Sequence, residues 1–196
     1  MGARFAFIYY ATGADQAEKC SDGDLGACAM FVDQYITLDL PLANLGSGLK
    51  AGASTAEALA AANKMSRTLW ALNKFVRGDI IDEMLGNNLG HNFKTFDIWD
   101  PVAGRATSIK SMNLTDKSYQ NPGYLKRQIQ DAVDETVNFS SHTSGGFTLD
   151  SKMIKHRDLK VAIPPWISGP QMKQMSEAFQ YGASKHVRVE FVVIGG

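Results

Sequence analysis

The sequence predicts an α/β protein: a mixed sheet flanked by helices and preceded by a small helical region. Three observations lead there. Strand-like runs rich in β-branched residues, "DLKVAIPPW" and "VRVEFVVIGG", alternate with helix-period segments in the second half. The first seventy residues look helical instead, with an alanine-rich stretch at their end. An apolar content of 44% over 196 residues supplies a folded core and argues against disorder throughout.

Taken in order, residues 13–37 read as helix in two pieces, broken by "SDGDLG". The turn-rich "PLANLGSGLKAG" reads as a hinge. Ala53 to Val76 is a strong helix signal, with Thr55 as N-cap and alanine and leucine filling the interior. Residues 1–70 therefore form one expected unit, a helical appendage, and 71–196 a second. Asp79 to Leu85 reads as a short helix ended by Gly86 and two asparagines. Phe93 to Trp99 and Ala106 to Met112 read as strands joined through Asp100 to Arg105. Apolar residues at 125, 129, 133 and 137, with Pro122 just ahead, give a helix. "GGFTL" is a short strand, and the strand in "DLKVAIPPW" stops at Pro164 and Pro165. "SGPQMKQMSEAFQYGASKH" is a helix with Ser168 as cap and Pro170 in its first turn. "VRVEFVVIGG" closes the chain as a strand.

Composition narrows the functional classes. No apolar run approaches the roughly 18–20 residues of a membrane-spanning helix. "MGARFAFIYYATG" has no convincing cleavage site, so no signal peptide is expected. The formal charge is zero but uneven. Residues 1–70 carry five basic and seven acidic side chains, residues 71–196 fifteen and thirteen. Arg105 to Arg127 holds five basic groups against Asp116 alone, and Lys152 to Lys160 four against Asp158. Such excesses either contact phosphates or are solvated surface. Cys20 and Cys28 are the only cysteines. They form a small-loop disulfide or remain thiols, and two alone do not complete a zinc site.

The chemistry concentrates in "FDIWDPVAGRATSIKSMNL". Asp97 precedes Ser108 by eleven residues and Lys110 by thirteen. A hairpin around "DPVAGR" would bring them to one face. An aspartate can hold a divalent metal, which neutralises a phosphodiester and acidifies water. A lysine beside it can orient or deprotonate that water, or steady developing charge. A serine can align either by hydrogen bonding. A further acid is expected on the preceding helix, where Asp79, Asp82 and Glu83 are available. The competing reading is a salt-bridged surface hairpin. His91, His142, His156 and His186 are isolated and read as exposed or structurally bonded. Trp99 and Trp166 read as packing groups rather than base platforms.

The motifs "RGDIIDEMLG", "TSIKS" and "KSYQNP", continued by "DLKVAIPP" and the last helix-strand pair, resemble the C-terminal toxin domains of contact-dependent growth inhibition (CdiA-type) proteins. These belong to the PD-(D/E)xK nuclease superfamily, and the resemblance covers roughly residues 77–194. It implies a restriction-endonuclease-like sheet and a metal-dependent endonuclease. It places the helix acid at Asp82, with Glu83 as alternative, the first-strand acid at Asp97, and the second-strand pair at Ser108 and Lys110. Asp82 and Asp97 would hold the metal, Mg²⁺ first, with Mn²⁺ or Zn²⁺ as alternatives. This chain departs from the common pattern twice. Aspartate replaces glutamate at 82, and serine replaces an acid at 108.

Lys117, Tyr119, Gln120, Asn121, Lys126 and Arg127 would then contact nucleic acid, with Tyr119 stacking on a base; the alternative is a capped helix start with solvated charges. Residues 1–70 look like the region that carries such toxins into the cytoplasm. The expectation is an interbacterial toxin, secreted or displayed within a larger effector and delivered to the target cell's cytoplasm. Its substrate would be RNA, transfer RNA first and DNA as alternative, and a cognate immunity protein its partner. The rival from another class is a non-enzymatic α/β binding module in which Asp97 and Lys110 form a structural ion pair.

Overall fold

The computed structural model describes residues 36–38, 64 and 66–194. Its elements are β1 (Ile36–Leu38), α1 (Lys74–Met84), β2 (Ile98–Asp100), β3 (Arg105–Ser111), α2 (Tyr124–Val137), β4 (Ser141–Ser144), β5 (Phe147–Asp150), β6 (His156–Ile163), α3 (Gly169–Ser184) and β7 (Val187–Val193). The main sheet runs β1-β7-β6-β3-β2, and β4 and β5 form a separate hairpin. Strands β3, β6 and β7 are parallel, whereas β2 is antiparallel to β3.

Parallel neighbours need crossovers, which α2 and α3 supply. Two successive right-handed crossovers in one direction put both helices on one face. Leu125, Ile129 and Val133 of α2 and Met175 and Ala178 of α3 pack there with Leu159, Val161, Ile163, Val189 and Phe191. On the opposite face Trp70 and Ile81 cover Ile109, Ala162 and Val192. Burial on both faces at their C-terminal ends explains the unbroken apolar runs Val161–Ile163 of β6 and Phe191–Val193 of β7. Gly182 lets α3 lie close to β7, because a Cβ there would strike Val189 Cγ2 and lie 3.0 Å from the Val187 carbonyl. Ser168 and Gln171 form the capping box that starts α3.

The structure redraws several expected boundaries. Ile36 and Thr37, read as the end of a helix, pair as strand with Phe191 and Val192, in keeping with their β-branched side chains. The long helix expected over 53–76 breaks at Asn73. Its carboxamide accepts from the amides of Phe75 and Val76 at 3.1 Å and starts α1 afresh, five residues earlier than expected. Only Ile98 and Trp99 of the run Phe93 to Trp99 are strand, which continues to Asp100. Thr95 sits at φ 71°, which breaks the extension before it. "GGFTL" is the second half of a hairpin whose turn, Gly145 and Gly146, has both φ values positive.

The division expected at residue 70 is crossed by packing. Trp70 Nε1 donates to the Ile194 carbonyl at 3.0 Å, and Asn113 Nδ2 donates to the Trp70 carbonyl at 3.0 Å. Cys20, Cys28 and nearly all of the expected helical appendage lie outside the described residues. No helix among the described residues is long and apolar enough to cross a membrane.

Candidate active site

The site forms where β2 gives out. The Asp97 amide donates to the Thr107 carbonyl at 2.9 Å, extending the β2–β3 ladder by one position. The chain then turns away, and the Asp97 carbonyl accepts from the amides of Asn88 and Leu89. The next donor on β3, the Ile109 amide, is met by a side chain: Asp97 Oδ2 accepts from it at 2.6 Å. A carboxylate thus stands at the sheet edge where a strand carbonyl would be. Asn88 holds the outer edge of β2, its carboxamide accepting from the Trp99 amide at 2.8 Å and donating to the Trp99 carbonyl at 3.0 Å.

Asp82 arrives from α1. Its neighbour Ile81 is fully buried against Ile109, so the helix is pinned to β3 and Asp82 is set beside the edge. Burial first, and the Asp97 charge second, raise the Asp82 pKa from 3.8 to about 6. Burial also raises that of Asp97, opposed by the Ile109 hydrogen bond and by the Lys110 and His91 charges. Glu83 is exposed, and Asp82, not Glu83, is the acid coupled to Asp97.

Lys110, two residues beyond the position opposite Asp97, sends its Nζ to within 3.2 Å of Glu135 Oε2 on α2. Its charge still favours ionisation of both aspartates. Ser108 is fully buried, and its hydroxyl makes no hydrogen bond. It lies opposite Leu159, on the face covered by α2 and α3. The alignment expected of this serine is therefore not made here.

The residues present suit a divalent ion held by two protein carboxylates. No group of three or more His, Cys, Asp or Glu fit to hold a metal occurs among the described residues. Mg²⁺ commonly takes one or two carboxylates and completes its shell with water and phosphate oxygens. A buried carboxylate whose proton affinity is raised by burial and by a second carboxylate is an arrangement a dication relieves.

The six residues expected to meet nucleic acid divide. Lys126 is paired with Glu177 at 2.7 Å. Gln120 Nε2 donates to the Leu114 carbonyl at 2.8 Å. Tyr119 packs on the core and sets its ring edge-on to Tyr124. Those three make contacts within the fold, and α2 itself starts at Gly123 with no side-chain cap. Lys117, Asn121 and Arg127 are exposed, Arg127 lying over the Tyr124 ring. Arg127 is eight residues from Glu135 on α2, about 12 Å along the axis.

Trp99 is buried beside Phe93 and Phe96, as packing predicts. Trp166 carries Arg67 over its ring. His142 bonds the Asn92 carbonyl and sets its ring edge-on to Phe93. His91, taken from the sequence as isolated, lies 3.5 Å from Asp79 and near both carboxylates. Sequence reasoning missed Glu135 as well. Its helix carries several acids, and no spacing links one of them to Lys110.

The family model described as CDI toxin restriction endonuclease-like domain matches residues 77–192. A protein named Deoxyribonuclease CdiA from Yersinia pseudotuberculosis serotype O:3 (strain YPIII) is 30% identical over 106 residues, 54% of this chain and 10% of the relative. Deoxyribonuclease CdiA-o11 from Escherichia coli O157:H7 (strain EC869) is 33% identical over 102 residues, 52% of this chain and 27% of the relative. The chain thus spans a small part of the curated relatives it matches. Among solved structures, the CdiA-CT/CdiI toxin and immunity complex from Yersinia pseudotuberculosis aligns with a TM-score of 0.52 at 28% identity. That alignment covers 59% of this chain and 97% of the other.

Proposed function

Because this chain belongs to the CDI toxin restriction endonuclease-like family, we propose that it is a metal-dependent endonuclease that cuts DNA. The observation that carries this reading is the carboxylate pair. Asp82 on α1 and Asp97 beside β2 lie close enough that the Asp97 charge raises the Asp82 pKa, with Lys110 within electrostatic reach of both. A rival non-enzymatic ion pair between Asp97 and Lys110 draws no support, because the lysine is paired with Glu135 instead.

A bound divalent ion, Mg²⁺ first, would neutralise the scissile phosphate and lower the pKa of water. In this reading Asp82 and Asp97 hold the ion. The Ile109 amide fixes one oxygen of Asp97, so that carboxylate is oriented before substrate arrives. Lys110 orients the attacking water and offsets the negative charge that grows on the phosphate oxygens. Exposed Lys117, Asn121 and Arg127 extend a weakly basic surface along the backbone of the nucleic acid.

Both curated relatives above are named deoxyribonucleases. That supports DNA in place of the transfer RNA expected from the sequence. The matching solved structure is a toxin and immunity complex, which supports a cognate immunity protein as partner. Delivery into the cytoplasm of a target bacterium, as part of a larger effector, completes the proposal.

The test is incubation of the purified protein with supercoiled plasmid and with bulk transfer RNA, in Mg²⁺ and in EDTA. Nicking and linearisation of plasmid in Mg²⁺ alone is the expected result. Cutting of transfer RNA with plasmid intact would return the substrate to RNA. Cutting of neither, in Mg²⁺ or Mn²⁺, would leave the binding-module reading.

A further inference from the structure

Lys110 ends in a compact ammonium on a flexible four-carbon stem, and its own strand does not decide where that ammonium rests. It rests 3.2 Å from Glu135 Oε2. Glu135 is well seated, in the last turn of α2. Its neighbours Val133 and Thr136 are fully buried. The Thr136 hydroxyl donates to the Val133 carbonyl at 2.8 Å, and Arg157 Nε on β6 donates to the Thr136 carbonyl at 3.1 Å. The backbone that presents Glu135 is therefore fixed to the sheet, although the carboxylate itself is open to solvent.

As a stabilising device the pair is weak. Its side chains are 34% and 57% exposed, and such pairs contribute little once solvent screening and side-chain entropy are counted. Its location relative to the site is the informative part. The other anions near the lysine are Asp82 and Asp97, whose ionisation it favours. An ammonium folded onto those carboxylates would compete with a dication for them.

We propose that Glu135 is a positioning residue for Lys110. It draws the ammonium to the α2 side of the sheet edge and leaves the Asp82–Asp97 pair open to a divalent cation. This rests on the reading of Asp82, Asp97 and Lys110 given above. Glu135 touches neither metal nor phosphate; it acts through the lysine.

The experiment compares wild type with Glu135→Ala, Glu135→Asp, Glu135→Gln and Lys110→Ala in three measurements. These are thermal melting, steady-state kcat and KM on plasmid DNA, and calorimetric titration with MnCl₂. Glu135→Ala should melt as wild type does and lose on the order of tenfold to a hundredfold in kcat. Its KM for DNA should stay within about twofold, since Glu135 meets no substrate. Mn²⁺ should bind it roughly threefold or more weakly, because the released lysine competes for the carboxylates. Glu135→Asp should recover part of both losses, and Glu135→Gln, without the charge, should not.

Wild-type kcat and Mn²⁺ affinity in Glu135→Ala, with Lys110→Ala inactive, would overturn the positioning role and leave the nuclease reading intact. Full activity in Lys110→Ala would overturn the nuclease reading itself. A lowered melting temperature in Glu135→Ala with wild-type Mn²⁺ affinity would make the pair structural and also overturn the inference.

Discussion

Asp97 and Asp158 flank β3 on its two sides, the first just ahead of β2 and the second on β6, and are surrounded in opposite ways. Asp158, almost fully buried, sits opposite Thr107 on β6. It accepts from Arg188 Nη2 at 2.6 Å, and Arg105 Nε lies 3.4 Å away. Asp97 has one backbone donor, a like-charged neighbour in Asp82, and a lysine held by another carboxylate. A buried carboxylate met by two guanidinium groups is architecture. One left beside a second carboxylate, with the nearby lysine paired to Glu135, is the arrangement proposed above to take up a metal ion.

The contrast breaks most visibly under substitution. Asp97→Ala or Lys110→Ala should lower plasmid cutting at least roughly a hundredfold with the far-UV circular dichroism unchanged. Asp158→Ala should do the reverse. It should cost about 1–3 kcal/mol in urea melts, less than the roughly 3–5 kcal/mol of breaking a fully buried pair, because both arginines are partly exposed. Cutting should persist while that variant stays folded. An inactive but stable Asp158→Ala would erase the distinction.

The second test separates two adjacent acids. Asp82→Ala should impair cutting more than Glu83→Ala, and the opposite ranking would hand the role to Glu83.

The third sharpens the contrast through pH. The folded-state pKa of Asp82 is raised from 3.8 to about 6, so the native protein binds this proton more tightly than the unfolded chain. The resulting stability is fully present below about 3.8 and is lost as pH rises through about 6. In metal-free buffer, wild type should therefore lose stability relative to Asp82→Asn between pH 4 and pH 7, followed by thermal melting. Metal reverses the preference, because it competes with the proton. Mn²⁺ affinity should fall as pH drops through about 6, and a flat profile would place the metal elsewhere.

The smallest expected effect lies farthest from the edge. Lys117→Ala and Arg127→Ala should raise KM for plasmid roughly twofold to fivefold and lessen its salt dependence, with kcat preserved.

The fold was legible where one element determines its own pattern. The repeat at 125, 129 and 133 gives the buried stripe of α2, and Ser168 begins α3 as a cap should. The apolar ends of β6 and β7, Val161–Ile163 and Phe191–Val193, are those of strands covered on both sides. Legibility failed where partners far along the chain decide. Nothing near Phe93 announces that Asn88 will occupy the edge of β2, or that Thr95 will turn the backbone. Within the site, the Asp97 and Lys110 spacing follows from a hairpin, and the helix acid from the resemblance. Glu135 and His91 did not follow, because each reaches its partner through tertiary packing alone. Ser108 was legible as a position and not as a role, since burial leaves its hydroxyl without a partner.

The most direct measurement is an anomalous-scattering map from crystals soaked in MnCl₂. The expected result is a peak in contact with the carboxylates of both Asp82 and Asp97, absent in Asp97→Ala crystals. A map with both carboxylates free of Mn²⁺, under conditions in which the soluble protein cuts DNA, would contradict it.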